Sequence, residues 1–105
     1  MIKKIDTPKT NGTSFWGGII LCTKNELVEN FGNPQWSTKD IGEKVQNSWD
    51  LETTQGIIFT IYDWKEYREY QDDETIEWHV GNFTKDDTLR TLLEIYKETG
   101  LDVEI

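Results

Sequence analysis

The sequence is poor in the residues that most often carry catalysis, since its 105 residues include one cysteine, Cys22, and one histidine, His79. A lone cysteine excludes an intramolecular disulfide and a cysteine-rich zinc site, and it favours a cytoplasmic location. A lone histidine limits a catalytic triad or a metal centre to one imidazole per chain. No Gly-x-Ser-x-Gly segment surrounds the hydroxyls of Thr13 and Ser14. We therefore expect no enzymatic activity, no cofactor and no bound metal.

Positive charge and long hydrophobic runs are also scarce. The chain has 11 lysines and arginines against 20 aspartates and glutamates, a net charge of −9. Such an acidic surface repels the phosphates of duplex nucleic acid, so we expect no duplex partner. No 18 apolar residues run together and no signal peptide is recognisable at the start, so we expect neither a membrane partner nor export. The length fits a single domain.

Aromatic residues are plentiful at 12%, including five tryptophans, and they predict a small, aromatic-rich core. Residues 1–12 show neither hydrophobic period and are interpreted as a flexible lead-in to a domain spanning 13–105. The apolar run 14–22 predicts a strand, in which the paired glycines indicate a bulge or a close backbone approach. A capping box, Thr23 to Glu26, predicts a helix over about 24–31 that ends at Gly32.

Three further strands and a second helix follow. Residues 45–52 and 75–81 alternate between apolar and polar, as in strands with one solvated face, and 57–62 is apolar throughout, as in a central strand. From the cap at Thr84 to Gly100, apolar residues recur at helical spacing: Leu89, Leu92, Leu93 and Tyr96. Residues 101–105 alternate again and predict an edge strand. The order β-α-β-β-β-α(-β) predicts an α+β fold, a mainly antiparallel sheet of four to five strands with two helices on one face.

The segment Tyr62-Asp63-Trp64-Lys65 is the densest candidate site, because it places aromatic faces, a carboxylate and an ammonium where a strand opens into a loop. Such a group can stack on a base and hold a phosphate. Sequential antiparallel pairing would bring His79 beside Tyr62. The alternatives are structural: Trp64 caps the core, Asp63 and Lys65 make turn contacts, and the imidazole bonds to a neighbouring side chain.

Negative charge is concentrated in residues 63–77. These fifteen residues contain seven acids and two basic residues, Lys65 and Arg68, a net charge of −5. This stretch is either a solvated loop or short helix with Lys65–Glu69 pairing, or a surface that binds a basic partner. Its candidate partner-binding residues are Glu66, Glu69, Asp72, Asp73 and Glu74. The run 72–74 is a weak cation signal, because it lacks the spacing of a calcium loop.

Five segments follow one another along the chain: Thr13-Ser14, Phe31-Gly-x-Pro34, Trp49, Thr60 to Lys65 and Glu77-Trp-His-Val-Gly81. In this order they resemble a family of small, largely uncharacterised accessory proteins of bacteriophages and other viruses. Ile-Tyr-Asp-Trp-Lys and Glu-Trp-His are the most specific parts of the resemblance. The resemblance covers about residues 13–100. This sequence departs from it at Phe15-Trp16, where a more polar pair is expected, and at Asn82, where a second glycine is expected. The resemblance implies an anti-defence role in the host cytoplasm.

These observations lead to two main functional hypotheses. In the first, the protein sequesters a small phosphate-containing molecule, such as a cyclic nucleotide immune signal, without catalysis. Its ligand-binding residues are Ser14, Tyr62, Trp64, Lys65 and His79: the aromatic rings stack on a base, Lys65 holds a phosphate, and Ser14 and His79 donate hydrogen bonds. A homodimer would enclose more of the ligand. In the second, the acidic face 63–77 blocks a basic host nuclease or effector, as a DNA mimic or an immunity protein. A third, an enzyme that degrades the signal, would depend on His79.

Overall fold

The computed structural model describes residues 1–105 and has the predicted α+β fold, with two helices packed on a fully antiparallel sheet. The sheet has seven strands rather than four to five, because two strands of two residues each carry no readable alternation. The strands are β1 (Lys3–Lys4), β2 (Ser14–Thr23), β3 (Trp36–Ser37), β4 (Asn47–Glu52), β5 (Ile58–Tyr62), β6 (Thr75–Asn82) and β7 (Asp102–Glu104). The helices are α1 (Lys24–Phe31) and α2 (Lys85–Thr99), and a 3₁₀ turn covers Thr7–Thr10.

The strands lie in the order β1-β4-β5-β6-β2-β7, and β3 pairs with the same edge of β4 as β1. The predicted hairpin of β4 and β5 is confirmed, with Trp49 opposite Ile61. β5 pairs next with β6, so Tyr62 lies opposite His79. The long central pairing of β2 with β6 joins two elements that are more than fifty residues apart in the chain.

Alternation along the strands separates the sheet into two faces. The inner face supplies most of a core of fifteen buried residues, in which Trp49 and Trp78 pack edge to face at 5.5 Å between ring centroids. Helix α1 contributes Leu27 and Phe31 to this core. Helix α2 contributes Leu92 and Ile95 to the same core, so both helices cover one face. The opposite face, called the outer face below, is covered by no helix.

Both helices begin as their sequences predict. The hydroxyl of Thr23 accepts a hydrogen bond from the backbone N–H of Glu26, whose carboxylate accepts one from Thr23 in return, which completes the capping box of α1. In α2, Thr84 caps the N–H of Asp87. Neither helix is long and apolar enough to cross a membrane.

Helix α2 does not bury the side that the spacing of its apolar residues predicts. The buried residues are Thr88, Thr91, Leu92 and Ile95. Of the apolar residues at helical spacing only Leu92 lies in the core, and Leu89, Leu93 and Tyr96 are exposed. Strand β2 approaches α2 so closely that the centre of the contact has room only for threonine side chains. The larger side chains of Leu89, Leu93 and Tyr96 therefore face solvent.

The interpretation of residues 1–12 as a flexible lead-in does not match the structure. Ile2 belongs to the core, β1 pairs with β4, and the 3₁₀ turn packs against β5. The buried carboxylate of Asp50 accepts hydrogen bonds of 2.8 Å from the hydroxyls of Thr7 and Thr10. Tertiary hydrogen bonds to a residue forty positions away order this segment, and local periodicity cannot reveal them.

The paired glycines of β2 provide both features that the sequence predicts. The register with β6 shifts between Phe15 and Ile19, and Gly17 adopts a positive φ of 95° within this bulge. At Gly18 the backbone approaches α2 so closely that a Cβ would lie 2.6 Å from Cγ2 of Thr88. The bulge therefore offsets the pairing of β2 with β6 by two residues and keeps Phe15 and Ile19 on the same face, and the second glycine lets the helix pack on the strand.

We expect Gly18→Ala to lower the free energy of unfolding by about 1–3 kcal/mol, because the new methyl group overlaps the Thr88 methyl group. Thr88→Ser removes that methyl group and keeps the hydroxyl that donates to Asn82. In a double-mutant cycle measured by urea denaturation, the cost of Gly18→Ala should fall when Thr88 is already serine. Strictly additive costs would contradict the proposed clash.

Candidate functional site

A row of side chains crosses the outer face where the helices leave the sheet uncovered. Cross-strand pairing places Ser48, Tyr62, His79 and Ile19 side by side on strands β4, β5, β6 and β2. The next row, toward the N-terminal segment, includes Asp50 and is covered by the 3₁₀ turn. The uncovered part of the outer face therefore centres on His79.

The imidazole of His79 lies among three aromatic rings. Phe15 stacks on it with ring centroids 3.9 Å apart and planes 16° apart. Trp64 lies 6.1 Å away at 26°, and Tyr62 meets the imidazole edge-on at 5.5 Å. Phe15 pairs with Gly81, two residues after His79 in β6. Trp64 comes two residues after Tyr62, which pairs with His79, so it lies toward the other end of β6. We call these four residues the aromatic stack.

The outward sides of the stack are open to solvent. Phe15 is 44% exposed and Trp64 is 39% exposed. The ammonium of Lys65 lies 5.5 Å from the centre of the Trp64 ring, and no carboxylate of the chain pairs with it. None of the five surface depressions is lined by the stack. The site is thus an open aromatic platform with one free cation beside it.

The imidazole of His79 is held by stacking, since it forms no hydrogen bond within the chain and its buried Nδ1 has no partner. Burial lowers the pKa of His79, and the charge of nearby Glu77 opposes this effect. The ring is therefore neutral at pH 7. The lack of any hydrogen bond to the ring excludes the alternative in which the imidazole bonds to a neighbouring side chain. Burial also raises the pKa of Tyr62, which keeps its phenol protonated.

Asp63 holds the loop that carries Trp64. Its side chain is buried, and Oδ1 accepts hydrogen bonds from the backbone N–H groups of Gln46 and Asn47, at 2.7 and 3.0 Å. Oδ2 accepts a 2.6 Å hydrogen bond from the hydroxyl of Tyr70, whose pKa is raised by burial and by this carboxylate. Asp63 therefore forms tertiary hydrogen bonds to the start of β4 and to Tyr70, rather than the turn contacts of the structural alternative. It is a positioning residue, because it does not reach the outer surface of the stack.

The backbone directly after Trp64 is strained. Lys65 and Tyr67 have positive φ angles of 54° and 51°, a region that costs a residue with a Cβ about 1–2 kcal/mol. The N–H of Lys65 donates a 2.7 Å hydrogen bond to the carbonyl of Lys44. This segment is therefore a loop rather than a short helix, and the Lys65–Glu69 pair of the structural alternative does not form.

Four of the five candidate ligand-binding residues come together, namely Tyr62, Trp64, Lys65 and His79. Ser14 does not join them, because it precedes Phe15 in β2 and consecutive strand residues point to opposite faces. Phe15 is the member that the sequence reasoning missed. Its position depends on the two-residue register shift at the bulge, and the only available signal was the pair of glycines that follows it.

The acidic candidates separate into two groups. The guanidinium of Arg68 binds both carboxylate oxygens of Glu74, at 3.1 and 2.5 Å, and its Nε lies 3.6 Å from Glu66. The hydrogen bonds from Arg68 lower the pKa of Glu74. Glu69, Asp72 and Asp73 form no ion pair and line one depression together with Asn25. Of the five candidates, only these three therefore present unneutralised charge to a partner.

Two other sequence features have structural roles. Asn82 is fully buried; its amide donates to the hydroxyl of Thr91 and accepts from that of Thr88, which ties β6 to α2. Cys22 is buried, and burial together with the charge of Glu26 raises the pKa of its thiol to about 12. Since thiolates are the reactive form, this cysteine is unreactive at neutral pH.

No protein-family model, curated protein or solved structure matches the chain. The resemblance to viral accessory proteins thus stays a prediction from the sequence. The aromatic stack, the free ammonium of Lys65 and the three unpaired acids are the features that bear on function.

Proposed function

We propose that the protein binds, without chemical conversion, a small ligand that combines a planar base with phosphate, and that it does so on the outer face at the aromatic stack. The observation that carries this proposal is the half-exposed pair of rings, Phe15 and Trp64, held on either side of a neutral His79. Aromatic rings held open to solvent provide stacking area for a base at little conformational cost.

Each member of the site has a distinct part in this proposal. The base stacks on the open ring of Trp64 or Phe15, while the tyrosine and histidine rings hold those rings in place. Lys65 has no carboxylate partner, so its ammonium is free to leave the Trp64 ring and contact a phosphate. A neutral imidazole adds no charge, and it can donate a hydrogen bond to the ligand or accept one from it.

The net charge of −9 restricts the ligand to a small one. Glu77 lies on the same face as His79, two residues away along β6, and the only cation placed at the stack is Lys65. A polyanion would bring many phosphates against this acidic surface, whereas one or two phosphates can be met by a single ammonium. A cyclic nucleotide signal is a ligand of this kind. Together with the viral resemblance, this supports sequestration of an immune signal as the biological role.

The proposal is tested by titrating the protein with a panel that includes a cyclic dinucleotide, ADP-ribose, adenosine monophosphate and adenosine. We expect isothermal titration calorimetry to show saturable binding of at least one phosphate-bearing compound and weaker binding of adenosine. The compound should be recovered unchanged after incubation. A panel without binding would overturn the proposal, and turnover that is lost in His79→Ala would favour an enzyme instead.

Phe15→Ala should weaken binding about 5- to 150-fold, because one stacked base contributes about 1–3 kcal/mol. The matched control is Phe83→Ala, since Phe83 is 42% exposed and forms no ring contact with the stack. Lys65→Gln should weaken the binding of phosphate-bearing compounds and leave the binding of adenosine unchanged. Equal effects of Phe15→Ala and Phe83→Ala would place the ligand elsewhere.

A second candidate function is the block of a basic host nuclease or effector by the acidic face. It is supported by the three exposed acids Glu69, Asp72 and Asp73, which have no ion-pair partner within the chain. Reversal of these three charges should abolish inhibition of such a partner. Glu74 is left unchanged in this test, since its reversal would also break the ion pair with Arg68. Unchanged biological activity after the triple reversal would contradict this candidate.

A further inference from the structure

Helix α2 carries an apolar stripe that nothing in the chain covers. Leu89, Leu93 and Tyr96 are 46, 53 and 58% exposed, and they recur at intervals of four and three residues, so they form one continuous line along the helix. This line runs beside the buried side of α2 rather than within it. Such a stripe is typical of a helix that packs against a second helix.

Opposite charges mark the two ends of the stripe. Asp86 lies before it and Lys97 after it, and both are exposed and free of ion pairs within the chain. They are eleven residues apart, which is close to three turns, so both lie along the same side of the stripe. A partner helix that matches this surface therefore carries a cation where α2 carries Asp86 and an anion where α2 carries Lys97.

A second copy of α2 meets this requirement when it runs antiparallel. The point halfway between Asp86 and Lys97 lies close to the point halfway between Leu89 and Tyr96. The two points are one residue apart in sequence, which is about 1.5 Å along the helix axis. Leu93 lies half a residue from the second of these midpoints. One twofold axis therefore places Leu89 against Tyr96 of the second copy, Leu93 near its own equivalent, and Asp86 beside Lys97 of the second copy.

We propose that the protein forms a homodimer through antiparallel packing of the two α2 helices. Self-complementarity of this kind is what a twofold interface requires, because each contact occurs twice. The helices pack on the inner face of the sheet, so the dimer leaves both aromatic stacks open on the outer faces. The dimer and ligand binding are thus independent of each other. An edge pairing of β7 with β7 would instead bring two acidic strands together, since Asp102 and Glu104 flank its single apolar residue.

The test is sedimentation equilibrium of the full chain over a range of concentrations. We expect a monomer–dimer equilibrium whose larger species has twice the chain mass of 12.3 kDa. Leu93→Asp should weaken the dimer by about 100-fold, because two charges then lie next to the twofold axis in place of two leucines. The matched control is Ile41→Asp, since Ile41 is an exposed loop residue with 46% exposure and should leave the equilibrium unchanged.

A charge exchange distinguishes the antiparallel α2 dimer from any other association. Lys97→Glu should weaken the dimer about tenfold, because two attractive pairs become two repulsive ones. Adding Asp86→Lys should restore it, with circular dichroism confirming that the helix is intact. A chain that stays monomeric at every concentration overturns the proposal. So does a dimer that is insensitive to Leu93→Asp, or one that the double exchange fails to restore.

Discussion

Replacement of Asp63 by alanine is expected to lower the free energy of unfolding by about 3–5 kcal/mol. Asp63 is 1% exposed, and its carboxylate accepts hydrogen bonds from two backbone N–H groups and from Tyr70. Alanine would leave the N–H groups of Gln46 and Asn47 buried without this acceptor. The same hydrogen bonds connect β4 to the loop after β5, so their loss should also release the segment that carries Trp64.

Two further variants make this prediction testable by urea denaturation. Asp63→Asn keeps the shape of the side chain but can offer only one oxygen, so it should cost about 1–3 kcal/mol and remain measurable if the alanine variant does not fold. Asp73→Ala removes an exposed acid without an ion pair and should change stability by less than about 0.5 kcal/mol. Similar effects of Asp63→Ala and Asp73→Ala would show that the buried carboxylate does not hold the loop.

Replacement of Trp78 by alanine should also cost about 3–5 kcal/mol. The side chain is fully buried between Trp49 and Tyr70, at 5.5 and 6.0 Å between ring centroids, and its indole N–H donates a 3.0 Å hydrogen bond to the carbonyl of Cys22. Both core packing and the β2–β6 contact depend on it. Because β6 also carries His79, the loss of Trp78 should loosen the strand beneath the aromatic stack.

Trp78→Phe separates packing from hydrogen bonding. Phenylalanine fills much of the space but cannot donate to Cys22, so an intermediate loss of about 1–3 kcal/mol is expected. Trp36→Ala is the control, since this tryptophan is 52% exposed in the short strand β3 and should matter little to stability. Thermal and urea denaturation should agree on this order. Equal losses for the alanine variants of Trp78 and Trp36 would contradict the assignment of the core.

The sequence allows prediction of the features that depend on local pattern. Period-two alternation predicts the strands that carry Tyr62 and His79. Sequential antiparallel pairing then predicts that the two residues are neighbours, and the pairing of β5 with β6 confirms it. Side-chain caps and terminal glycines locate both helices. Alternation and caps are readable because each involves residues within a few positions of each other, where backbone geometry alone decides which side chains meet.

The features that the sequence does not reveal depend on distant contacts. Phe15 reaches His79 only because of the bulge at the glycine pair, and the size of a register shift cannot be read from two glycines. Residues 1–12 are ordered by Asp50, which follows them by about forty positions. The stripe of α2 has the spacing of a core-facing side, yet close packing at Gly18 selects the threonine side instead. In each case tertiary packing overrides a weak local preference.

The most direct test of the proposed ligand site follows the five tryptophan indole N–H signals by nuclear magnetic resonance during titration with a bound nucleotide. Each tryptophan gives one signal, and spectra of Trp→Phe variants assign them. If the base stacks at the platform, the signal of Trp64 should shift most. Those of Trp49 and Trp78, which are fully buried on the inner face, should barely move. Saturation of the protein with no shift at Trp64, or with the largest shift at a tryptophan outside the stack, would contradict the proposed site.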